Sequence, residues 1–251
     1  MNITISKVEP PNASIEMFCN NNDFVQLYRS YDWNRDCWET GFVDIFRLEI
    51  QLITHDGNNG ITLDDVREVA KWGKLRNTGR ICGETPVLPR KTFNTPDSTI
   101  ENVSSGGYLT PLSKLSKTIT SGIGPTYFTK ILRFSAPTIY GALDTRCVRV
   151  FGKGDPECQR HDWLDITVKN YGYGCFIPEI QRNWPSGYEK WLDILNIICT
   201  ILPANCPHPP AFVEKGLRQK GVWTCADVEM ALFTYASRYI AESNGLKGQT
   251  T

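Results

Sequence analysis

The apolar positions of this chain recur at helical spacing over much of its length. The pattern is interrupted between residues 23 and 53 and continuous in six further segments. These predicted helices cover residues 62–72, 111–120, 125–136, 144–151, 188–201 and 224–241. Segments with the strict alternation expected of half-buried β-strands are few, so the sequence predicts a mostly α fold.

Several predicted helices carry the residues that start or stop helices. Thr62 is a preferred N-cap residue, and the acidic residues that follow it suit the first turn of a helix. Thr110 precedes Pro111, which predicts an N-cap followed by proline at the first helical position. Pro125 opens the next helix and Pro137 ends it. The two helices in the middle of the chain are therefore separated by a short turn.

Three segments lack a clear periodicity. Residues 1–20 predict an irregular lead-in. Residues 79–109 are rich in Pro, Gly, Ser and Thr, which predicts either a long loop or short strands. Residues 161–187 predict a loop that contains aromatic side chains. The length of 251 residues allows one large or two small domains, and we predict a single domain over residues 1–251.

Composition and charge exclude few functions. The chain has 27 basic and 27 acidic residues, so its formal net charge is zero, and a local basic patch would still bind nucleic acid. Its nine cysteines have irregular spacings and form no C-x-x-C pair, which predicts reduced thiols and no metal site. No signal peptide is visible, and the longest apolar runs are too short to span a membrane. We therefore expect a cytoplasmic protein without a membrane partner or a cofactor.

The sequence Gly122-Ile123-Gly124 lies in the turn between the two middle helices. Glycine permits positive φ angles and lets another molecule approach the backbone closely. The free N–H groups at the start of the second helix would then face outward, where the helix dipole favours an anion such as a DNA phosphate. The alternative is a short turn between helices with a glycine C-cap, which needs no ligand.

Asp144 follows Gly124 by twenty residues, in the sequence Leu-Asp-Thr-Arg. Alone, an aspartate just before a helix is a preferred N-cap. Together, the turn and the aspartate resemble the helix-hairpin-helix DNA glycosylases, including the endonuclease-III-like enzymes. In that superfamily the hairpin glycines bind a phosphate, and a catalytic aspartate lies at this spacing in a similar context. The resemblance covers roughly residues 112–151 and weakens over the N-terminal hundred residues.

The resemblance implies a helix-hairpin-helix DNA glycosylase fold, with two helical lobes and a cleft between them. One lobe would contain residues 20–105 and the C-terminal helices within 188–245. The other lobe would contain residues 106–187, with the hairpin at 110–135. The implied partner is double-stranded DNA with a modified base, and we expect a monomer. The implied reaction hydrolyses the bond between a flipped base and its sugar and leaves an abasic site.

Asp144 would carry the chemistry of this reaction. Cleavage of the glycosidic bond builds positive charge on the sugar, which a nearby carboxylate stabilises. The same carboxylate can activate the attacking water. The residues expected at the DNA backbone are Gly122, Ile123, Gly124, Thr126, Lys130 and Arg146.

Thr126 and Lys130 decide whether base removal is accompanied by a strand cut. Thr126 stands where strand-cutting members of the family carry a nucleophilic lysine, which predicts a hydrolytic, monofunctional enzyme. Lys130 lies one turn further on the same face of the helix. It is expected to contact a phosphate or to lie on a solvated surface, and substitution for the missing lysine is the alternative. Arg146 is expected at a phosphate, with an exposed helix face as the alternative.

The C-terminal helix supplies candidates for base recognition. The segment around Glu229 and Phe233 resembles the Asp-Met-Ala-Leu-Trp segment of archaeal 8-oxoguanine glycosylases, in which the acid contacts the base and the aromatic ring stacks on it. Glu229 and Phe233 lie four residues apart, on one helix face. The alternative is an amphipathic helix with Phe233 in the core and Glu229 in solvent. Trp33 is a further candidate for the base pocket, with core packing as its alternative.

The resemblance leaves the substrate open. Known relatives repair oxidised, alkylated or mismatched bases, and a more distant bacterial relative removes glucosylated hydroxymethylcytosine from phage DNA. The poor match outside the hairpin region makes this anti-phage role a candidate, and repair of the 8-oxoguanine type is the alternative. Two further classes are a non-catalytic DNA-binding protein with the same hairpin and a helical scaffold that binds no nucleic acid.

Overall fold

The computed structural model describes residues 12–58, 60–88, 109–171 and 174–247, and this part of the chain is mostly helical, as predicted. Its helices are α1 (Asn12–Asn21), α2 (Phe24–Arg29), α3 (Val43–Asn58), α4 (Leu63–Trp72), α5 (Leu109–Thr118), α6 (Pro125–Ser135), α7 (Thr145–Phe151), α8 (Ser186–Ile201), α9 (Pro210–Glu214) and α10 (Cys225–Lys247). None of the helices described is long and apolar enough to cross a membrane.

Three short antiparallel pairs of strands accompany the helices in the described part of the chain. They pair β1 (Asp32–Trp33) with β2 (Asp36–Cys37), β3 (Cys82–Gly83) with β4 (Ile119–Ser121), and β5 (Lys169–Tyr171) with β6 (Gly174–Phe176). The hairpin of β5 and β6 lies inside the segment 161–187, where the sequence predicted a loop. The β3 strand lies inside the segment 79–109, of which residues 89–108 fall outside the described residues.

Local capping signals start three of the helices where the sequence predicts them. The Thr62 hydroxyl accepts a hydrogen bond from the backbone N–H of Asp65, and the Asp65 carboxylate accepts one from the N–H of Thr62. This reciprocal arrangement is a capping box. Pro125 is the first residue of α6, with Gly124 as its N-cap. Asp144 is the N-cap of α7.

The end of α5 differs from the prediction of a helix over 111–120. The helix ends at Thr118, because Ile119 to Ser121 leave it to pair with β3. This pairing buries Ile119, a β-branched residue that suits a strand. The start also differs, since α5 begins at Leu109 and Thr110 lies within the helix rather than at its N-cap.

One continuous hydrophobic core joins the helices. The α10 helix runs through it and packs against α2, α7 and α8, while α6 packs against α3, α4 and α5. Helices of both predicted lobes therefore share this core. The division into two lobes remains a prediction.

Four charged side chains are buried where α3, α6 and α10 meet. Glu49 of α3 accepts hydrogen bonds from Arg133 of α6 at 2.8 Å and from two nitrogens of Arg218 at 2.8 and 2.9 Å. The Nε of Arg218 also lies 3.0 Å from Oδ1 of Asp227 in α10. All four residues are at most 4% exposed. We call Glu49, Arg133, Arg218 and Asp227 the buried charge cluster, in which two positive and two negative groups balance.

Removal of one charge from the buried charge cluster should destabilise the protein strongly. We expect Glu49→Gln to lower the free energy of unfolding by about 3–5 kcal/mol, because two arginines would face a single carboxylate without solvent. Urea unfolding measures the change. The control is Glu68→Gln, since Glu68 pairs with Lys71 at the surface, and we expect it to cost less than about 1 kcal/mol. Equal effects of the two substitutions would contradict the assignment.

Candidate active site

The turn between α5 and α6 contains two glycines in different roles. Gly122 has a φ of +93°, and a Cβ atom there would lie 2.6 Å from the carbonyl oxygen of Arg80. Gly122 is therefore required by the close approach of the turn to the backbone of Arg80 and Ile81, just before β3. A Cβ atom at Gly124 would meet no described atom within 4 Å, so the backbone there is open to a ligand. The turn joins a structural glycine to an accessible one.

The start of α6 directly follows this accessible backbone. Gly124 is the N-cap of α6 and Pro125 its first residue, and no described side chain caps the helix. The carbonyl of Gly124 already accepts hydrogen bonds from the N–H groups of Tyr127 and Phe128. The positive end of the helix dipole is thus directed at the open side of the turn. This arrangement suits a phosphate group.

Asp144 and Lys130 form a buried ion pair below this turn. Oδ1 of Asp144 accepts a hydrogen bond from the backbone N–H of Arg146 and so caps α7. Its other oxygen, Oδ2, lies 3.0 Å from Nζ of Lys130. The side chains of Lys130 and Asp144 are only 7% and 10% exposed. The expectation that Lys130 lies on a solvated surface is therefore wrong, because its ammonium pairs with Asp144 and lies among the rings of Trp33, Trp72 and Tyr127.

The surroundings of Asp144 favour its carboxylate form. Burial raises the pKa of Asp144, but the ammonium of Lys130 and the backbone N–H of Arg146 outweigh that effect and hold the pKa below its usual value. Asp144 is therefore ionised at neutral pH. A buried carboxylate that stays ionised is suited to stabilise positive charge on a neighbouring group.

Aromatic rings surround the Lys130 ammonium. Nζ of Lys130 lies 5.5 Å from the ring centroids of Trp33 and Tyr127 and 5.6 Å from that of Trp72. These distances are within the range of cation–π contacts. The rings are fixed in turn, because the Trp33 indole donates a hydrogen bond to the Trp72 carbonyl and the Tyr127 hydroxyl donates one to the Gly73 carbonyl. The ion pair thus lies in a rigid aromatic environment.

The ion pair and the turn line one cleft of about 640 Å³. Most of the residues expected in the site line it, namely Trp33, Gly122, Ile123, Gly124, Thr126, Lys130, Asp144 and Arg146. The Arg146 guanidinium lies over the rings of Trp33 and Phe233, with its Cζ 5.2 and 4.9 Å from their centroids. It also donates a hydrogen bond to Ser237 in α10. Arg146 is thus half-buried and held at the cleft wall rather than on an exposed helix face.

Glu229 and Phe233 do not line the cleft. Phe233 is 5% exposed and packs edge-on against Trp33, so it supports the cleft wall from behind. Glu229 is also 5% exposed and therefore does not lie in solvent. The structure thus brings both residues to the layer directly behind Trp33 and Asp144. Contact of either side chain with a base would require a rearrangement of this layer.

The surroundings of Glu229 favour its protonated form. Burial raises its pKa to about 8, the charge on Arg133 acts in the opposite direction, and Asp144 adds to the rise. Nε of Arg133 lies 3.8 Å from the Glu229 carboxylate, beyond hydrogen-bonding distance, so this pair does not offset the burial. The neighbouring buried charge cluster is already balanced. A negative charge on Glu229 would share its nearest cation, Arg133, with the closer carboxylate of Glu49.

Sequence reasoning missed two parts of the cleft. Tyr127 lies in the helix predicted over residues 125–136, but its hydrogen bond to Gly73 depends on the position of α4. The opposite rim comes from residues 174–177 and Glu179, in and after β6. Ile180 follows this rim and is 95% exposed. The only sequence signal for this rim is the aromatic and glycine-rich composition of the segment 161–187.

One group of residues away from the cleft has ligand atoms near enough to hold a metal ion. Cys206, His208 and Asp227 have these atoms within 4.8 Å of one another. Oδ2 of Asp227 already accepts hydrogen bonds from Arg218 and Thr224. A cation would compete with the guanidinium of Arg218, so internal hydrogen bonding explains this group.

No protein-family model, curated protein or solved structure matches this chain in the comparisons. The functional interpretation therefore depends on the geometry of the cleft and on the short motif that connects Gly124 with Asp144.

The raised pKa of Glu229 predicts a pH-dependent stability. Between about pH 4.5 and pH 8 the unfolded chain loses the Glu229 proton and the folded protein keeps it, so wild-type stability falls as pH rises. Glu229→Gln removes this effect. We expect the stability of the variant relative to wild type to increase by up to about 1.4 kcal/mol per pH unit over that range. Denaturant unfolding at pH 5, 6.5 and 8 measures it, and a constant difference would contradict the assignment.

Proposed function

We propose that this protein is a monofunctional DNA glycosylase, which flips a modified base into the cleft and hydrolyses its glycosidic bond. The observation that carries the proposal is the buried, ionised carboxylate of Asp144 in a cleft whose rim includes the open turn at Gly124. A phosphate bound at the turn would bring the sugar of a flipped nucleotide towards this carboxylate. The resemblance of the segment 112–151 to helix-hairpin-helix glycosylases supports the same function.

The proposed reaction is a hydrolysis at the sugar carbon. As the bond between C1′ and the base nitrogen breaks, its electron pair leaves with the base and positive charge develops on the sugar. The Asp144 carboxylate stabilises that charge, and it orients a water molecule and accepts its proton as the oxygen bonds to C1′. The departing base takes up a proton from solvent and Asp144 returns the proton that it accepted, so one water molecule is consumed for each bond broken. Lys130 acts as a positioning residue, because its ammonium holds the Asp144 carboxylate ionised and in place.

The cleft favours a substrate larger than an unmodified base. A volume of about 640 Å³ lies in the range of pockets that hold drug-sized ligands. Its lining contains polar and charged groups, among them Thr126, Arg146 and Glu179. A glucosylated hydroxymethylcytosine would use such a pocket, which supports a role in anti-phage defence. An oxidised or alkylated base in excision repair is the alternative substrate.

The contact between Lys130 and Asp144 favours a second candidate function. A neutral amine at Lys130 could attack C1′, displace the base and form a covalent imine, after which the DNA strand would be cut. The amine would first have to give up the proton with which it pairs to Asp144. We prefer hydrolysis, because the ion pair leaves no free electron pair on Nζ. A non-catalytic DNA-binding protein is the third candidate, since the open turn at Gly124 could bind a DNA phosphate without any catalytic residue.

Asp144→Asn should separate catalysis from DNA binding. The amide keeps the shape of the side chain and loses its charge, so we expect the rate of base release to fall by about 10²–10³-fold while duplex binding is retained. Single-turnover release of the base and a filter-binding assay measure the two properties. The control is Asp155→Asn, because Asp155 pairs with Arg149 outside the cleft. If both variants release base like wild type, Asp144 is not catalytic.

Lys130→Met should distinguish hydrolysis from covalent catalysis. In a hydrolytic enzyme the variant still releases base, but the pKa of Asp144 rises without the ammonium, which moves the acid limb of the pH–rate profile up by about one to three pH units. Wild type should leave the DNA strand intact until alkali is added. A covalent adduct trapped by borohydride, together with complete loss of base release in the variant, would instead identify Lys130 as the nucleophile.

A further inference from the structure

A second groove continues from the cleft past the turn. It has a volume of about 1090 Å³ and shares with the cleft the wall formed by Gly122, Tyr127 and residues 174–176. Its other wall carries the exposed side chains of Lys74, Arg76 and Arg80. No acidic residue lines the described part of this groove. We call it the basic groove.

The three cations of the basic groove are free to bind an external anion. Neither Lys74 nor Arg76 nor Arg80 forms an ion pair with a described residue. Neighbouring basic residues on α4 differ, because Lys71 pairs with Glu68 and Arg67 pairs with Asp64. Within the described part of the chain, no acidic partner compensates the positive charge of the groove. This arrangement is the electrostatic footprint of a polyanion-binding surface.

Lys74 has a backbone conformation that lysine adopts rarely. Its φ is +63°, in the left-handed region, where a Cβ atom is unfavourable. Lys74 follows the last turn of α4, and the N–H of Leu75 donates to the carbonyl of Ala70 as in a helix-ending motif that favours glycine at this position. The fold would therefore be more stable with glycine at position 74.

The preceding glycine does not remove this strain. Gly73 has an ordinary φ of −72°. It is glycine for another reason, since a Cβ atom there would lie 2.6 Å from the Tyr127 ring. The glycine of this turn is therefore at position 73, one residue before the left-handed position. Position 74 holds a lysine although glycine would suit its backbone better. Strained residues that persist in this way are concentrated at binding and catalytic sites.

The left-handed turn directs Lys74 to the junction of the cleft and the basic groove. Its Nζ lies 4.5 Å from the centroid of the Trp33 ring, which lines the cleft, while Lys74 itself lines the groove. Lys74 is therefore adjacent both to the aromatic ring beside Asp144 and to the path along Arg76 and Arg80. A phosphate at this junction would lie beside the nucleotide that enters the cleft.

We propose that the basic groove holds the phosphodiester backbone of the DNA strand that carries the flipped nucleotide, and that Lys74 binds the phosphate next to that nucleotide. Arg76 and Arg80 then bind successive phosphates, with the backbone of the Gly122–Gly124 turn on the opposite wall. The reference to a flipped nucleotide rests on the proposed glycosylase function, whereas the binding of a DNA backbone does not depend on it.

A pair of substitutions at one position tests the role of Lys74. Lys74→Gly removes the charge and relieves the backbone, so we expect weaker duplex binding together with a rise of about 2–4 °C in the midpoint of thermal unfolding. Lys74→Ala removes the same charge and keeps the strain, so binding should weaken equally without the rise in the midpoint. Lys71→Ala is the control, because Lys71 lies one turn earlier in α4, pairs with Glu68 and does not line the groove.

The salt dependence of duplex binding counts the phosphate contacts. The slope of log K against log salt concentration is negative, and each lost phosphate contact reduces its magnitude by about 0.9. Either Lys74 variant should therefore reduce the magnitude by about 0.9, and the triple variant Lys74→Ala, Arg76→Ala, Arg80→Ala should reduce it by about 2.7. The Lys71→Ala control should leave it unchanged. Unchanged slopes in all groove variants would overturn the proposal, as would tighter binding of an RNA strand of the same sequence than of DNA.

The outcomes separate this proposal from the glycosylase function. If wild type releases a base and the groove variants keep the wild-type slope, the basic groove does not hold the backbone, although the glycosylase function stands. If the variants lower the slope and wild type releases no base from any substrate, the groove binds DNA in a protein that is not a glycosylase.

Discussion

The buried charge cluster of Glu49, Arg133, Arg218 and Asp227 is the constraint on which the candidate site depends. It fixes α6 against α3 and α10 by hydrogen bonds of 2.8–3.0 Å between groups that solvent does not reach. Removal of any member would leave an uncompensated charge in the core. Lys130 lies one turn before Arg133 on α6, so the helix that the cluster anchors also carries the partner of Asp144. The buried charge cluster thus helps to set the position of the Lys130–Asp144 ion pair.

The charges of this protein are arranged in layers around the cleft. The innermost layer is the balanced cluster, beside which the protonated form of Glu229 is favoured. The next layer is the pair of Lys130 with Asp144, in which the carboxylate remains ionised. The outer wall is the basic groove, whose cations have no described acidic partner. A net charge of zero thus coexists with a groove whose cations have no described acidic partner and with a buried, ionised carboxylate at the cleft.

Sequence reasoning reached those features that depend on neighbouring residues. The caps at Thr62 and Asp144 and the proline that starts α6 are local, and the structure has each of them. Two local expectations were wrong, since Thr110 lies within α5 and α1 begins inside the segment 1–20 that was expected to be irregular. The other features that sequence reasoning missed depend on contacts distant in sequence. The β4 strand pairs Ile119 with Gly83, and Lys130 is buried because it meets Asp144, fourteen residues later, and the rings of Trp33 and Trp72. Nothing in a local pattern distinguishes such a lysine from a solvated one.

The central claim is that the cleft around Asp144 removes a base from DNA. The most direct measurement is detection by mass spectrometry of free base released by wild-type protein from duplexes that contain repair lesions and from phage DNA with hypermodified cytosine, scored against new abasic sites. The account predicts one modified base released for each abasic site formed, from at least one of these DNAs. Release of no base from any of them, at protein concentrations that saturate duplex binding, would contradict it.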